Sequence, residues 1–369
     1  MVCLCMIVKN ESKIIERCLT SVSEIIDAWC IVDTGSTDGT QIMIKEKLNH
    51  LPGKLIERPW INFGHNRTEA INFSKEFGEW ALVLDADMVL INSGFDKSQL
   101  DNTCDAYYVV QENLNIKYKN LRLLNLKVGW NSIGVTHEYW KPIASTGKMT
   151  DLSSLKILDI GDGGAKGDKF TRDIELLVQG IQDEPENVRY KFYLAQSYKD
   201  CGHYPIAITW YQCCAEESKW SEEAWYSEYM ILCCLTALKK PEKEIEEFAV
   251  NTWIKRPWRV EPLYKLAQLY KIKKDWLKCY HILKVCATAE YPIEDSLFIE
   301  HKVYEGEALD ELSVAAYWIK KYNESIDIIN GLMQKRYGSI YRERLLSNKQ
   351  YSEEAIKTQH DEFPFQKND

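Results

Sequence analysis

The sequence predicts an α/β domain built on a mostly parallel, Rossmann-like sheet, followed by an all-α helical-repeat domain. Three observations carry that expectation. Between Val2 and about Leu90, apolar β-branched runs alternate with amphipathic stretches, the order that folds into a parallel sheet. From about Thr171 onward the pattern is helical, and a Leu/Tyr, small, aromatic motif returns at intervals of 35 and then 37 residues, from Ala195 through Met230 to Ala267. At 369 residues, the chain also exceeds the size at which one hydrophobic core keeps growing. The expected domains are 1–170 and 171–369.

The first run, Val2 to Val8, is apolar and stops at the polar Lys9-Asn10-Glu11. It is too short, and lacks the basic flank, for a signal peptide or membrane anchor, so it reads as a buried strand. Ser12 to Ile26 follows with Ile14, Ile15, Cys18, Leu19 and Val22 at helical spacing. A second strand, Trp29 to Val32, ends in the polar, glycine-bearing loop Asp33 to Thr40, where Asp38 or Thr37 can cap a helix starting near Gln41. Lys54 to Arg58 reads as a third strand and Thr68 to Phe77 as a helix. Trp80 to Asp87 reads as a central strand with two carboxylates at its end. Ligands of such sheets gather at the carboxyl ends of the strands, where Asn10, Asp33, Asp85 and Asp87 would emerge.

In the helical half, Leu194-Ala195-x-x-Tyr198 with Ala207 and Tyr211 is echoed by Leu266-Ala267-x-x-Tyr270 with Cys279 and Leu283. Tyr229-Met230-x-x-Cys233 is a weaker copy, and a degenerate one starts near Leu312. The interval is close to the ~34 residues of a tetratricopeptide repeat, and each unit can bury its apolar face only against a neighbour.

The formal net charge is −9, with no long run of Lys or Arg, which argues against nucleic acid or an anionic membrane as partner. For a diphosphate ligand, that balance calls for a divalent cation between ligand and protein. Twelve cysteines are scattered, several on apolar helix faces, such as Cys213-Cys214 and Cys233-Cys234. They read as buried free thiols and so point to a reducing compartment, the cytoplasm. Cys3 and Cys5 lack the second Cys or His pair of a zinc site.

Asp85 and Asp87 are the sharpest chemical signal: with one residue between them on a strand they share a face, and at its end they can meet a hard cation and a diphosphate. Alone, the pair is equally what two solvated acids look like. Four blocks in order, Met6-Ile-Val-Lys-Asn10-Glu11-Ser, Val32-Asp33-Thr-Gly-Ser-Thr-Asp38-Gly-Thr40, Phe63-Gly-His-Asn66-Arg67-Thr-Glu-Ala70 and Leu84-Asp85-Ala-Asp87, resemble the family-2 glycosyltransferases. Asp162-Gly-Gly-Ala-Lys166-Gly-Asp-Lys169-Phe-Thr-Arg172-Asp173-Ile and Arg189 to Tyr198 resemble a branch in which that domain is fused to tetratricopeptide-like repeats. The resemblance covers roughly residues 1 to 230.

It implies a nucleotide-diphospho-sugar transferase (GT-A type) fold in which Val8, Lys9, Glu11 and Asp33 hold the nucleoside. Asp85 and Asp87 would hold the nucleotide sugar and Mn²⁺ or Mg²⁺. Met88 departs from the pattern, since many relatives carry an acid there. Asn66 and Arg67, at a helix start, suit an anion or a base edge, or Arg67 pairs with Glu69. In Gly134-Val-Thr-His137-Glu138-Tyr-Trp140, Glu138 is the candidate base for the acceptor proton and His137 a third metal ligand, unless both bond loop backbone. Lys166, Lys169 and Arg172 in a glycine-rich loop can close over a diphosphate, with Asp162 competing with His137 for the metal, or the loop is a plain linker. Trp60, Trp130 and Trp140 are candidates for stacking on sugar or base, while Trp210, Tyr211, Trp225 and Tyr226 read as core.

The expected activity is metal-dependent, inverting hexosyl transfer from a UDP-sugar to a protein, peptide or glycan acceptor, with the repeats binding that acceptor or a second copy of the chain. Two rivals stand beside it. A nucleotidyltransferase would need a basic Gly-rich loop before Asp33, and none is present. The other is a repeat scaffold with a catalytically inactive nucleotide-binding domain.

Overall fold

The computed structural model describes residues 1–113, 117–163 and 169–362. Lys166 therefore lies outside the described residues. The chain divides into two compact units, Met1–Pro185 and Glu186–Asp369. The expected boundary at 170 falls at the start of a helix, Lys169–Asp183 (α4), that belongs to the first unit.

In the first unit, β1 (Val2–Val8), β2 (Ala28–Asp33), β3 (Gly53–Glu57) and β4 (Trp80–Val83) are parallel neighbours in the order β3-β2-β1-β4. The register pairs Val8 with Asp33 and Asp33 with Glu57, so these strands end level with one another. Helices α1 (Ile15–Val22), α2 (Thr40–Lys47) and α3 (Phe63–Ser74) are the crossovers. Strand alternation splits the core between two faces. Leu4, Met6 and Val8 pack with Ile15, Cys18 and Leu19 of α1, while Cys3 and Cys5 pack with Ala70 and Ile71 of α3. All twelve cysteines are free, and burial pushes the Cys5 thiol up to about 12.

Beyond Leu90 the sequence pattern named no further strand before the repeats, yet the sheet continues. It runs through β5 (Met88–Asn92), β6 (Ala106–Glu112), β7 (Lys117–Asn125) and β10 (Met149–Asp159), in the order β4-β7-β6-β10-β5. β7 runs antiparallel to both β4 and β6. A separate ribbon, β8 (Trp130–Ile133) with β9 (Tyr139–Pro142), carries the His137-Glu138 turn between its strands. That turn docks on the start of α3: Gly64 N–H donates to Gly134 O at 3.0 Å, and a Cβ at Gly64 would stand 2.5 Å from the same oxygen. Only glycine lets helix and turn approach so closely.

The second unit stacks four helix pairs: α5 (Val188–Asp200) with α6 (Tyr204–Glu217), α7 (Ser221–Ala237) with α8 (Glu242–Lys255), α9 (Glu261–Lys273) with α10 (Trp276–Cys286), and α11 (Ala308–Trp318) with α12 (Tyr322–Met333). The motif residues Ala195, Met230, Ala267 and Leu312 fall on the first helix of successive pairs and are all buried. The tetratricopeptide-like reading therefore holds, the degenerate fourth copy included. Helices α13 (Arg336–Ile340) and α14 (Arg342–Glu362) follow. Between α10 and α11 an irregular segment departs from the repeat and is pinned by a buried cation. Arg259, with no exposed side-chain surface, meets Glu261 at 2.9 Å, Asp295 at 3.2 Å and Glu222 at 3.5 Å. Among the described residues, no helix is long and apolar enough to cross a membrane.

Candidate functional site

The loop after β1 and the loop after β2 are laced together by short polar side chains. Asn10, in the left-handed region at φ 57°, donates its N–H to Ser36 Oγ and accepts from Thr37 N–H, each at 2.8 Å. Glu11 N–H donates to Thr40 Oγ1 at 2.8 Å and Ser12 N–H to Asp38 Oδ2 at 3.0 Å. Asp38 Oδ1 in turn accepts from Thr40 N–H and Oγ1, but the cap position of α2 is Gly39, in the left-handed region, rather than the expected Asp38 or Thr37. Asp33 is 1% exposed; its Oδ1 accepts from the Gly35 and Ser36 N–H groups and from Gln41 Nε2. Its Oδ2 is buried with no hydrogen-bond partner in the structure. An orphaned carboxylate oxygen is costly, and it is the kind of atom a ligand N–H satisfies.

A cavity of about 500 Å³ opens at these strand ends. Val8, Lys9, Glu11 and Thr34 form one side of it, and Asp85 and Asp87 another. Trp60, Phe63, Arg67, Lys169 and Arg172 also line it. Trp60 meets Phe63 edge to face, at 4.8 Å between centroids, and the Arg172 guanidinium lies 5.1 Å from the Phe63 centroid. Gly163 brings the backbone of the glycine-rich loop against Asp87, since a Cβ there would stand 3.2 Å from Asp87 Oδ2.

Asp85 and Asp87 do not share a strand face as expected. β4 ends at Val83, and the pair sits in the turn closed by Met88 N–H to Asp85 O at 3.1 Å. Asp85 turns to Arg67, whose Nη2 bonds its Oδ1 at 2.6 Å, and stands 3.8 Å from Arg122 Nη1. Burial raises the Asp85 carboxyl, but Arg67 and then Arg122 outweigh it and hold it below its usual value. Arg67 Nε also bonds Glu138 Oε1 at 2.5 Å, so one buried guanidinium ties both carboxylates together. The expected pairing of Arg67 with Glu69 is thereby corrected: Arg67 lines the cavity, and its Nε and Nη2 pair with Glu138 and Asp85 instead.

Asn66 is corrected outright. It is fully buried, with Oδ1 accepting from Ile61 N–H at 3.0 Å and Nδ2 donating to Pro59 O at 3.1 Å, so it shapes the turn before α3 and faces no ligand. The metal trio is corrected too: among the described residues, no three of His, Cys, Asp and Glu gather closely enough to hold an ion. Asp85 is drawn to its arginines, and His137 sits in a left-handed turn (φ 51°) between β8 and β9. Asp162 is held by Arg17 through two bonds of 2.6 and 2.9 Å. Asp87 remains at the cavity, and one carboxylate completed by diphosphate oxygens and water is a donor set that suits Mg²⁺ or Mn²⁺. The stacking candidates separate as well. Trp60 lines the cavity, while Trp130 is wholly buried, its Nε1 donating to Asn125 O at 2.8 Å.

A second cavity of about 360 Å³ adjoins the first, with Arg67 and Asp85 lining both. Glu138 and Trp140 line it, together with residues of β6 and β7 that the sequence analysis did not single out, Tyr108, Lys119, Asn120 and Arg122. Arg122 is the most consequential of these, buried and bonded to Gln111 Oε1 at 2.7 Å. Its signal was a lone cation inside the run Leu121-Arg-Leu-Leu124, which no strand had been assigned to cover.

Residues 3–141 match the family described as Glycosyl transferase family 2. A TPR repeat-containing protein of Synechococcus elongatus is 40% identical over 103 residues, 27% of this chain and 24% of its own length. An uncharacterized glycosyltransferase of Rickettsia bellii is 32% identical over 117 residues, 31% of this chain and 38% of its own. The alignments thus span well under half of the relatives they match. Among solved structures, MamA is similar with a TM-score of 0.35 and 14% identity, over 46% of this chain and 91% of that one. The C-terminal part of a TPR repeat-containing protein from Cytophaga hutchinsonii gives 0.38 and 10%, over 50% and 68%. Residues 3–141 of the first unit are thus similar to that family, and a tetratricopeptide-like repeat unit follows.

Proposed function

We propose that the first unit moves a sugar from a nucleotide-sugar donor, a UDP-sugar, to an acceptor nucleophile, with divalent-metal assistance and inversion at the sugar carbon. The observation that carries this reading is the pairing of cavities. Asp87, Lys9, Lys169 and Arg172 line one, Glu138 lines the other, and Arg67 bonded to Asp85 forms the wall they share.

In this reading Asp33 Oδ2 accepts an N–H of the base, with Val8, Lys9 and Glu11 beside the nucleoside and Trp60 as a stacking surface. Lys169 and Arg172 meet the diphosphate as point and planar cations. Mn²⁺ or Mg²⁺, held by Asp87 and the diphosphate, would neutralise the charge that develops on the leaving group. Asp85, kept ionised by Arg67 and Arg122, orients the donor sugar. Glu138 takes the acceptor proton from the side opposite the leaving group, as inversion requires. The repeats would bind a protein that carries or presents the acceptor, or a second copy of the chain. The free buried thiols favour a reducing, cytoplasmic setting.

The test is a hydrolysis screen of UDP-, GDP- and dTDP-sugars with Mn²⁺, because such enzymes slowly pass their donor sugar to water. Release of free UDP, abolished by Asp87→Asn and by chelation, is the expected result. Silence across all three nucleotides with the folded protein would transfer the weight to the scaffold reading.

A further inference from the structure

We infer that the second cavity is a sugar-binding site, and that the acceptor is therefore a carbohydrate hydroxyl rather than a protein side chain. The inference rests on the transferase reading, because it takes Glu138 as the group that receives the acceptor proton.

The walls of this cavity combine the two surfaces a sugar ring presents. A pyranose has patches of C–H on its faces and hydroxyls around its rim, so it is held by an aromatic surface flanked by groups that both donate and accept. Trp140, Tyr108 and Tyr139 supply the aromatic surface. Trp140 packs its body against the core beneath the sheet while still lining the cavity. Asn120 offers a donor and an acceptor in one carboxamide, and Glu138 two acceptor oxygens. The Tyr108 hydroxyl makes one weak contact, 4.0 Å from the Met149 thioether, and a ligand hydroxyl would improve on it. Lys119 Nζ holds Asp151 at 2.5 Å, but both side chains are more than half exposed. Such a pair contributes little, and Lys119 can exchange it for a ligand oxygen.

Size points the same way. About 360 Å³ lies at the small-molecule end of ligand pockets, which run from ~300 to ~1,000 Å³. The partition also suits the chemistry. A hydroxyl seated here lies beside Glu138, and the donor cavity adjoins it at Arg67 and Asp85, which line both.

The experiment is saturation-transfer difference NMR on the full chain with UDP and Mn²⁺ present, using methyl gluco-, galacto- and mannopyranosides as probes. The expected result is saturation of ring protons in at least one glycoside, about tenfold weaker binding in Trp140→Ala, and a comparable loss in Tyr139→Ala. Tyr139 is 46% exposed, so its removal keeps the test valid if Trp140→Ala fails to fold. Undiminished binding in both variants would overturn the placement. No glycoside signal from a protein that hydrolyses a UDP-sugar would overturn the sugar assignment while leaving the transferase reading intact, as would transfer to a Ser- or Thr-bearing peptide alone. Absence of both hydrolysis and glycoside binding would overturn the two readings together.

Discussion

Replacing Arg67 with methionine removes the cation between the two cavities while keeping most of its volume, and the structure sets the scale of the loss. Two charge-assisted bonds disappear, to Asp85 at 2.6 Å and to Glu138 at 2.5 Å, each worth about 1.5–3 kcal/mol. Asp85 and Glu138 keep 27% and 17% of their side-chain surface in solvent, and Arg122 still stands 3.8 Å from Asp85. The cost therefore falls at the lower end of the ~3–5 kcal/mol seen when a buried pair loses one partner, near 3 kcal/mol. The assay is native-state hydrogen exchange of the β1 and β4 amides, which reports this unit without treating the whole chain as two-state. Those amides should exchange about a hundredfold faster, since each ~1.4 kcal/mol is tenfold. Adding Glu138→Gln should recover at least ~1 kcal/mol, because one unpaired carboxylate is then neutral. Exchange within about threefold of wild type, or purely additive losses in the double variant, would refute the clamp.

Gly64→Ala should push α3 away from the His137-Glu138 turn, because the new Cβ would meet Gly134 O at 2.5 Å and Ser132 O at 2.9 Å. An overpacking cost of about 1–3 kcal/mol is expected in a thermal melt, with sugar transfer falling more than nucleotide binding. Lys169→Ala and Arg172→Gln should each weaken UDP binding about tenfold by calorimetry and steepen nothing in its salt dependence, since each removes one charge from the cavity. Arg259→Met leaves Glu222, Glu261 and Asp295 buried without their shared cation, and should cost the second unit at least ~3 kcal/mol, read as faster exchange in α7 and α9. The pH dependence follows from Asp85. Its folded value lies below the ordinary 3.8, so its contribution to stability is complete above about pH 4 and is lost as pH falls through the folded value. The stability gap between wild type and Asp85→Asn should therefore be full at neutral pH and close in acid; a gap that widens in acid would reverse the sign.

The elements up to Leu90 were legible because β1 and β2, buried on both faces, are continuous apolar runs, and because α1 buries Ile15, Cys18, Leu19 and Val22 at helical spacing. The repeats were legible for the same reason, with Ala195, Met230, Ala267 and Leu312 in register. β6, β7 and β10 were not. Their buried positions include Gln111, Arg122 and Asn125, polar groups that pair with one another or with backbone across strands distant in sequence. A pattern of hydrophobicity alone reads such positions as surface. The pairing of Arg67 was hidden because its partners are remote in the chain: nothing near it announces Glu138 or Asp85.

The Asp-x-Asp spacing suggests two equivalent ligands, but the fold makes the acids unequal. Arg67 comes from α3 and Arg122 from β7, so Asp85 is neutralised from two elements distant in sequence. A carboxylate so compensated has little charge left to attract a cation, and its value lies in being fixed in direction. Asp87, two residues on, meets the close approach of Gly163 and faces the cavity. Under the proposed function the turn would separate holding an ion from orienting a substrate, and Arg67 would extend the second task to Glu138 in the neighbouring cavity. Because the same guanidinium fixes both carboxylates, a shift of α3 by a fraction of an ångström displaces the donor-side and acceptor-side acids together. That coupling is why Gly64, which seats α3 on the turn carrying Glu138, belongs to the same device.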